Sequence, residues 1–186
     1  RRMRYSDKTS ISVRQASKPD AKRISALDAS NKTDYVWQMD LREEDTHIQV
    51  VFQRTRLPRS VELDFRDSID DLETNLMKHA LVLVAESTGV LTGFLVVDIG
   101  TAQDAAIITN FAVERSMRRR GIATAMLVTA RDWASRAGLN RLIIVTQSRN
   151  YPAICFCRRN GYTYCGYNDS YYSNQDIALF FGMKLR

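Results

Sequence analysis

Long apolar runs are missing from this chain. The longest, Leu81–Ala85 and Ile177–Met183, are strand-sized and fall far short of the roughly 20 residues that cross a bilayer as a helix. No basic-then-apolar leader opens the sequence, so no membrane partner and a cytoplasmic setting are expected. Proline is scarce at 3 residues, and the 8 glycines are too scattered to form a linker or a low-complexity tract. His47 and His79 are the only histidines, and with Cys155, Cys157 and Cys165 they offer no metal-ligand spacing, so no metal is expected. An odd count of three clustered cysteines argues against a disulfide framework and for reduced, structural thiols. What is present, 186 residues with 45% hydrophobic content, suits one globular domain with a substantial core.

Charge is divided unevenly. Residues 1–100 hold 15 Lys and Arg against 16 Asp and Glu, a net −1, whereas residues 101–186 hold 12 against 5, a net +7. The positive half therefore points to an anionic partner, a nucleic acid or a phosphorylated small molecule. Nucleic acid is disfavoured, because the arginines cluster at one loop and no helix-turn-helix or RNA-binding pattern accompanies them.

Residues 1–9 read as a frayed polar segment and 10–186 as a single domain. Strands are expected at Ser10–Ala16, Leu81–Ala85, Leu91–Asp98, Ala105–Val113, Arg141–Thr146, Tyr162–Tyr167 and Asp176–Leu185. Residues 47–57 are β-rich and should stop at Pro58, and residues 31–46 have a helical flavour. Helices are expected from Pro19–Asp20 to Leu27, from an Asp67–Ser68 cap to His79, from Gly121 to Ala137, and from Asn150 to Asn160. Ser87-Thr88-Gly89 should turn a hairpin, and Gly138 and Gly161 should end the last two helices. The order implies an α/β fold with one mixed sheet, and residues 105–147 form a βαβ unit with a parallel pair.

The stretch Phe111-Ala112-Val113 through Arg118-Arg119-Arg120-Gly121-Ile122-Ala123-Thr124 is a strand end, a basic loop and a glycine at a helix mouth. Unpaired N–H groups there, the helix dipole and a glycine that permits close approach make a pyrophosphate cradle. Arg118-x-x-Gly121-x-Ala123 resembles the acetyl-CoA signature of the GNAT superfamily of N-acetyltransferases. Asn150-x-x-Ala153-Ile154-x-Phe156-Cys157-x-x-x-Gly161-Tyr162 is similar to that family's second motif. The match covers about residues 80–186, and the ending resembles most the streptothricin acetyltransferase branch. Asn110 also matches ribosomal-protein N-terminal acetyltransferases.

The resemblance implies a three-layer fold, a central sheet of six to seven strands flanked by about four helices, acting as a monomer or homodimer. It implies acetyl-CoA as cosubstrate and a primary amine as acceptor, either a small antibiotic or a peptide or protein amine. Phe111, Ala112 and Val113 would offer backbone to the pantetheine arm. Arg119, Arg120, Gly121, Ile122, Ala123 and Thr124 would hold the pyrophosphate, Arg118 would close the loop, and Asn150 would contact the arm while capping its own helix. Tyr167, Tyr171 and Tyr172 would line the acceptor side, gripping a cation or serving as packing. The chain departs from the family at two places: Cys157 stands where a tyrosine acid is usual, and Val145 where a glutamate base is. Cys157 is then a proton donor or a small apolar filler. The missing pair leaves a non-catalytic acyl-CoA-binding module as the alternative. Six acids between Glu62 and Glu73 (with Asp64, Asp67, Asp70 and Asp71) attract a basic substrate or complement a helix dipole.

Overall fold

The computed structural model describes residues 10–100 and 104–185, so the polar segment 1–9 lies outside the described residues. In chain order the elements are β1 (Ile11–Gln15), α1 (Asp20–Ser25), β2 (Asn31–Glu44), β3 (His47–Leu63), α2 (Arg66–Asn75), β4 (Leu81–Ser87) and β5 (Val90–Ile99). They continue as β6 (Ala105–Val113), α3 (Ile122–Arg136), β7 (Arg141–Gln147), α4 (Tyr151–Arg159), β8 (Thr163–Asn168) and β9 (Ala178–Lys184). Seven strands form one sheet in the order β1-β4-β5-β6-β7-β9-β8, in which β6 and β7 run parallel and every other neighbouring pair is antiparallel. This is the mixed α/β architecture that the sequence implied.

The sheet is covered on both faces, which is why its central strands read as continuous apolar runs rather than alternating ones. Leu81, Leu83 and Ala85 of β4 join Met126 and Ala130 of α3 in one buried cluster. Val82 and Val84, pointing the other way, join Ile24 of α1 and Leu72 of α2 in a second. Each of the large buried side chains contributes about 1.5–3 kcal/mol relative to exposure. The β4–β5 hairpin closes on Thr88 (φ 50°) and Gly89 (φ 79°), and two positive φ values in a two-residue loop match the strand twist. Among the described residues no helix is long and apolar enough to cross a membrane.

Two expectations are corrected here. Residues 31–46 are not helical: β2 and β3 form a long two-stranded ribbon outside the main sheet. Tyr35, Trp37 and Met39 alternate with Asp34, Gln38 and Asp40, so one face of the ribbon is half buried on the body while the other is wet. Tyr35 packs on Tyr151 at 5.0 Å, and Arg158 lies over Trp37 at 5.3 Å. Nor does Pro58 end the second strand, which continues to Leu63. The pairing shifts between Thr33↔Val61 and Tyr35↔Arg56, so Pro58 sits in an irregularity of a two-stranded ribbon, where its missing N–H costs little. Helix α2 starts at Arg66 with Phe65 at its N-cap, and among the described residues no side chain caps it. The Asp67 and Ser68 side chains, read as that cap, lie outside the described residues.

Candidate active site

Strands β6 and β7 pair only from Ala105↔Arg141 to Ile108↔Ile144. At that point β6 carries a bulge: against β5, Ile108 faces Val97 and Asn110 faces Val96, leaving Thr109 as the extra residue. A bulge bends its strand and sharpens its twist. Beyond it Thr109–Val113 and Val145–Gln147 part, and a cleft of about 690 Å³ opens between them. One edge of residues 110–113 remains paired with β5 and the other faces the cleft, where an extended ligand can add as a strand.

The cleft runs to the mouth of α3. Gly121 is the N-cap with φ 81° and no capping side chain, and the first intrahelical donor is Ala125 N, bonded to Gly121 O at 2.9 Å. The N–H groups of Ile122, Ala123 and Thr124 are the ones an α-helix leaves without an internal acceptor. A Cβ built on Gly121 meets no heavy atom within 4 Å, so the space before this mouth is open. Arg119 holds φ 65°, an uncommon non-glycine left-handed conformation of the kind that clusters at ligand clamps. These features fit a bound pyrophosphate.

Of the three arginines, each has a different place. Arg118 lines the cleft and fastens the loop: Nε donates to Val113 O at 3.0 Å, Nη2 to Ser30 O at 2.7 Å and Nη1 to Asn31 Oδ1 at 3.3 Å. Burial lowers its pKa, so the guanidinium is held by acceptors rather than by water. Arg119 is exposed and lines the cleft. Arg120 is exposed on the far side of the loop, beside Ile11 and Ser87.

Helix α4 forms the opposite wall. Asn150 caps it, Oδ1 accepting from Ala153 N at 3.2 Å, with Pro152 in the first turn. Asn150, Ala153, Phe156 and Asn160 fall at helical spacing on the cleft side, with Phe156 against Phe111 at 5.4 Å. Cys157 falls on the other side. It is fully buried with Ile154 in the core, and burial pushes its thiol up to about 12. It does not line the cleft.

Among the tyrosines, Tyr172 lines the cleft, and burial raises its hydroxyl pKa. Tyr171 packs edge-on to Tyr172 at 4.9 Å and to Phe180 at 5.8 Å, and Tyr167 edge-on to Phe52 of the ribbon at 5.5 Å. Val145, at the position of the family base, lines the cleft as an apolar residue. The acids between 62 and 73 are dispersed: Glu62 pairs with Arg115 at 3.0 Å, and Glu73 accepts from Ser25. No described one of them lines the cleft, and the Asp67 and Asp70 side chains lie outside the described residues. Reasoning from sequence missed Asn31, Phe65, Thr109, Arg159 and Asn160 among the lining residues. Only Asn160 and Arg159 carried a signal, their spacing from Phe156 along α4.

Comparison with known proteins agrees with this geometry. The chain is 26% identical over 175 residues to the streptothricin acetyltransferase of Streptomyces lavendulae, covering 91% of this chain and 93% of the relative. The crystal structure of nourseothricin acetyltransferase superposes with a TM-score of 0.79 at 24% identity, covering 96% of this chain and all of that one. An acetyl coenzyme A complex from Bacillus anthracis, itself only provisionally assigned as a streptothricin acetyltransferase, superposes at 0.75 with 18% identity, covering 94% and 99%. The sequence model of the acetyltransferase (GNAT) family matches residues 39–162, well over half of the chain, and it takes in the splayed strands, the uncapped helix mouth and the Asn150 helix. The chain thus belongs to the GNAT family of acetyltransferases and takes its acetyl group from acetyl-CoA.

Proposed function

We propose that the protein transfers the acetyl group of acetyl-CoA to a primary amine of a cationic, streptothricin-like small molecule, by direct attack in a ternary complex. The observation that carries this reading is the free edge of β6, residues 110–113, leading straight into the uncapped mouth of α3. The choice of acceptor rests on the likeness to streptothricin acetyltransferase over nearly the full length of both chains.

Acetyl-CoA supplies an activated thioester. This chain's residues supply its placement and the handling of charge. Backbone groups of Phe111, Ala112 and Val113 extend along the arm, and the N–H groups of residues 122–124 with Arg119 hold the pyrophosphate. Arg118 keeps that loop in shape through Val113, Ser30 and Asn31. Fixing amine and thioester together removes much of the entropic barrier. Tyr172 is the proton donor to the departing sulfur: it lines the cleft and carries a hydroxyl that is protonated at neutral pH. Cys157 serves as packing in α4, since a fully buried thiol facing the core has no path to the reacting atoms. With Val145 apolar, the amine loses its proton to water. A cytoplasmic setting, as a monomer or homodimer, belongs to the same reading.

The test is release of CoA thiol over a panel of streptothricin-type antibiotics, simple amines and peptides, with the acetylated product identified by mass. Turnover of peptides with none of the antibiotics would move the acceptor to peptide or protein amines. Acetyl-CoA binding with no turnover of any amine would defeat the reading.

A further inference from the structure

A carboxylate with no Arg or Lys partner among the described residues is hydrogen-bonded to the cleft-lining Thr109. Asp98, near the end of β5, is 38% exposed at its side chain. Both of its oxygens are met by His79 Nδ1, at 2.9 and 3.1 Å, and Thr109 Oγ1 donates to Oδ2 at 3.4 Å. A carboxylate only accepts, so Nδ1 carries a hydrogen and donates. The other ring nitrogen, Nε2, is buried without a partner, so the imidazole is spent on orienting Asp98 and is closed to a ligand. Thr109 is the bulge residue that lines the cleft, which puts Asp98 one hydrogen bond behind the cleft wall. On its other side Asp98 lies near enough to Tyr171 to add, after burial, to the rise in that hydroxyl's pKa. Tyr171 in turn packs edge-on to the cleft-lining Tyr172.

The contrast with other carboxylates is informative. Glu62, Asp104 and Asp176 are each paired with an arginine, at 3.0, 3.1 and 2.7 Å. Asp98 has no arginine or lysine partner among the described residues. It is held by two donors, partly open, and close to the Tyr171 ring. That is the chemistry of an ammonium anchor: one carboxylate held in place by its donors and partly desolvated beside the cleft wall.

We propose that Asp98, positioned by His79 and Thr109, binds an ammonium group of the acceptor other than the amine that is acetylated. The acceptor class is then an oligoamine, with the reacting amine in the cleft and a second cation at the rim. This deepens, and rests on, the amine-acceptor reading above.

Steady-state kinetics at about pH 8, above the ordinary imidazole range, compare spermidine and lysyl-lysine with the monoamine n-hexylamine. Wild-type enzyme favours the oligoamines. Asp98→Asn raises their KM about tenfold and collapses the oligoamine-to-monoamine ratio of kcat/KM. Thr109→Val, which keeps the charge, has a smaller effect. An unchanged oligoamine KM overturns the anchor, and so does an equal fall in kcat for both acceptor types, which would make Asp98 a base. Two measurements stand apart from the variant's folding and from turnover. In wild-type enzyme, salt raised to about 0.5 M should weaken oligoamines more than the monoamine, and an equal effect on both counts against the anchor. Calorimetry of spermidine onto CoA-loaded wild-type and Asp98→Asn protein should show binding lost in the variant. If that loss is seen while no amine is acetylated, the amine-transfer reading fails and the anchor stands. If amines are acetylated and the two proteins bind spermidine equally, or wild type does not bind it, the anchor alone fails.

Discussion

Two helix mouths border the same cleft and are finished in opposite ways. At α4 the Asn150 side chain folds back onto Ala153 N and a proline occupies the first turn, so the mouth satisfies itself. At α3 a glycine in the left-handed region stands with no capping side chain and open space before it. The first arrangement is what a helix does to be stable alone, and replacing such a cap costs about 1 kcal/mol. The second leaves donors waiting for a ligand. A helix N-terminus becomes an anion site through what it omits, and under the proposed function the residues of each helix inherit that division, α4 as scaffold and α3 as receptor.

The comparison breaks most plainly at the tyrosine that lines the cleft both helices border. Tyr172→Phe should lower kcat by roughly 10²-fold with acetyl-CoA affinity kept, measured by CoA release and calorimetry. A wild-type rate would leave water as the acid. Next comes the open mouth itself. Gly121→Val strains a φ of 81° and fills the approach, so acetyl-CoA affinity should fall about tenfold, about 1.4 kcal/mol. Unchanged affinity in the folded variant would mean the ligand does not use this mouth. On the scaffold side, Cys157→Ala should cost about 1 kcal/mol of stability through a small cavity and leave turnover near wild type, read by denaturant midpoint and rate. A large rate loss would return the thiol to the chemistry. The smallest effect is expected at the closed mouth, where Asn150→Ala should lose about 0.5–1 kcal/mol of stability and lower acetyl-CoA affinity less than Gly121→Val does.

The second half of the fold was legible because its signals are local. The 3.6-residue period of α3, the glycines at 121, 138 and 161, and the Asn150–Pro152 start all act within a turn or two of themselves. The ribbon was misread for a physical reason. Its charged residues fall on both edges of the pattern, and the apolar alternation of Tyr35, Trp37 and Met39 is completed only by contacts with α4, far along the chain. Pro58 misled in the same way, since a stop in a central strand is a tolerated kink in a two-stranded one. In the site, position within a motif brought Arg118, Arg119 and residues 121–124 to the cleft, but not Arg120, which falls on the far side of the loop. It could not say that Cys157 faces inward, because that depends on how α4 is rotated by Asn150, Ala153 and Phe156. Asp98 and His79 carried no sequence signal, being 19 residues apart and joined only by the sheet.

The Arg118 tie has a consequence for the order in which the protein comes together. Its guanidinium joins the cradle loop to Ser30 and Asn31, 88 and 87 residues earlier in the chain. Contacts of such separation form late, because the intervening chain must already be closed. Competence to bind the coenzyme is therefore a property of the finished molecule rather than of the segment that bears the signature. In a refolding experiment, acetyl-CoA binding should appear after the helical signal of α3, and it would serve as a clock for the last step.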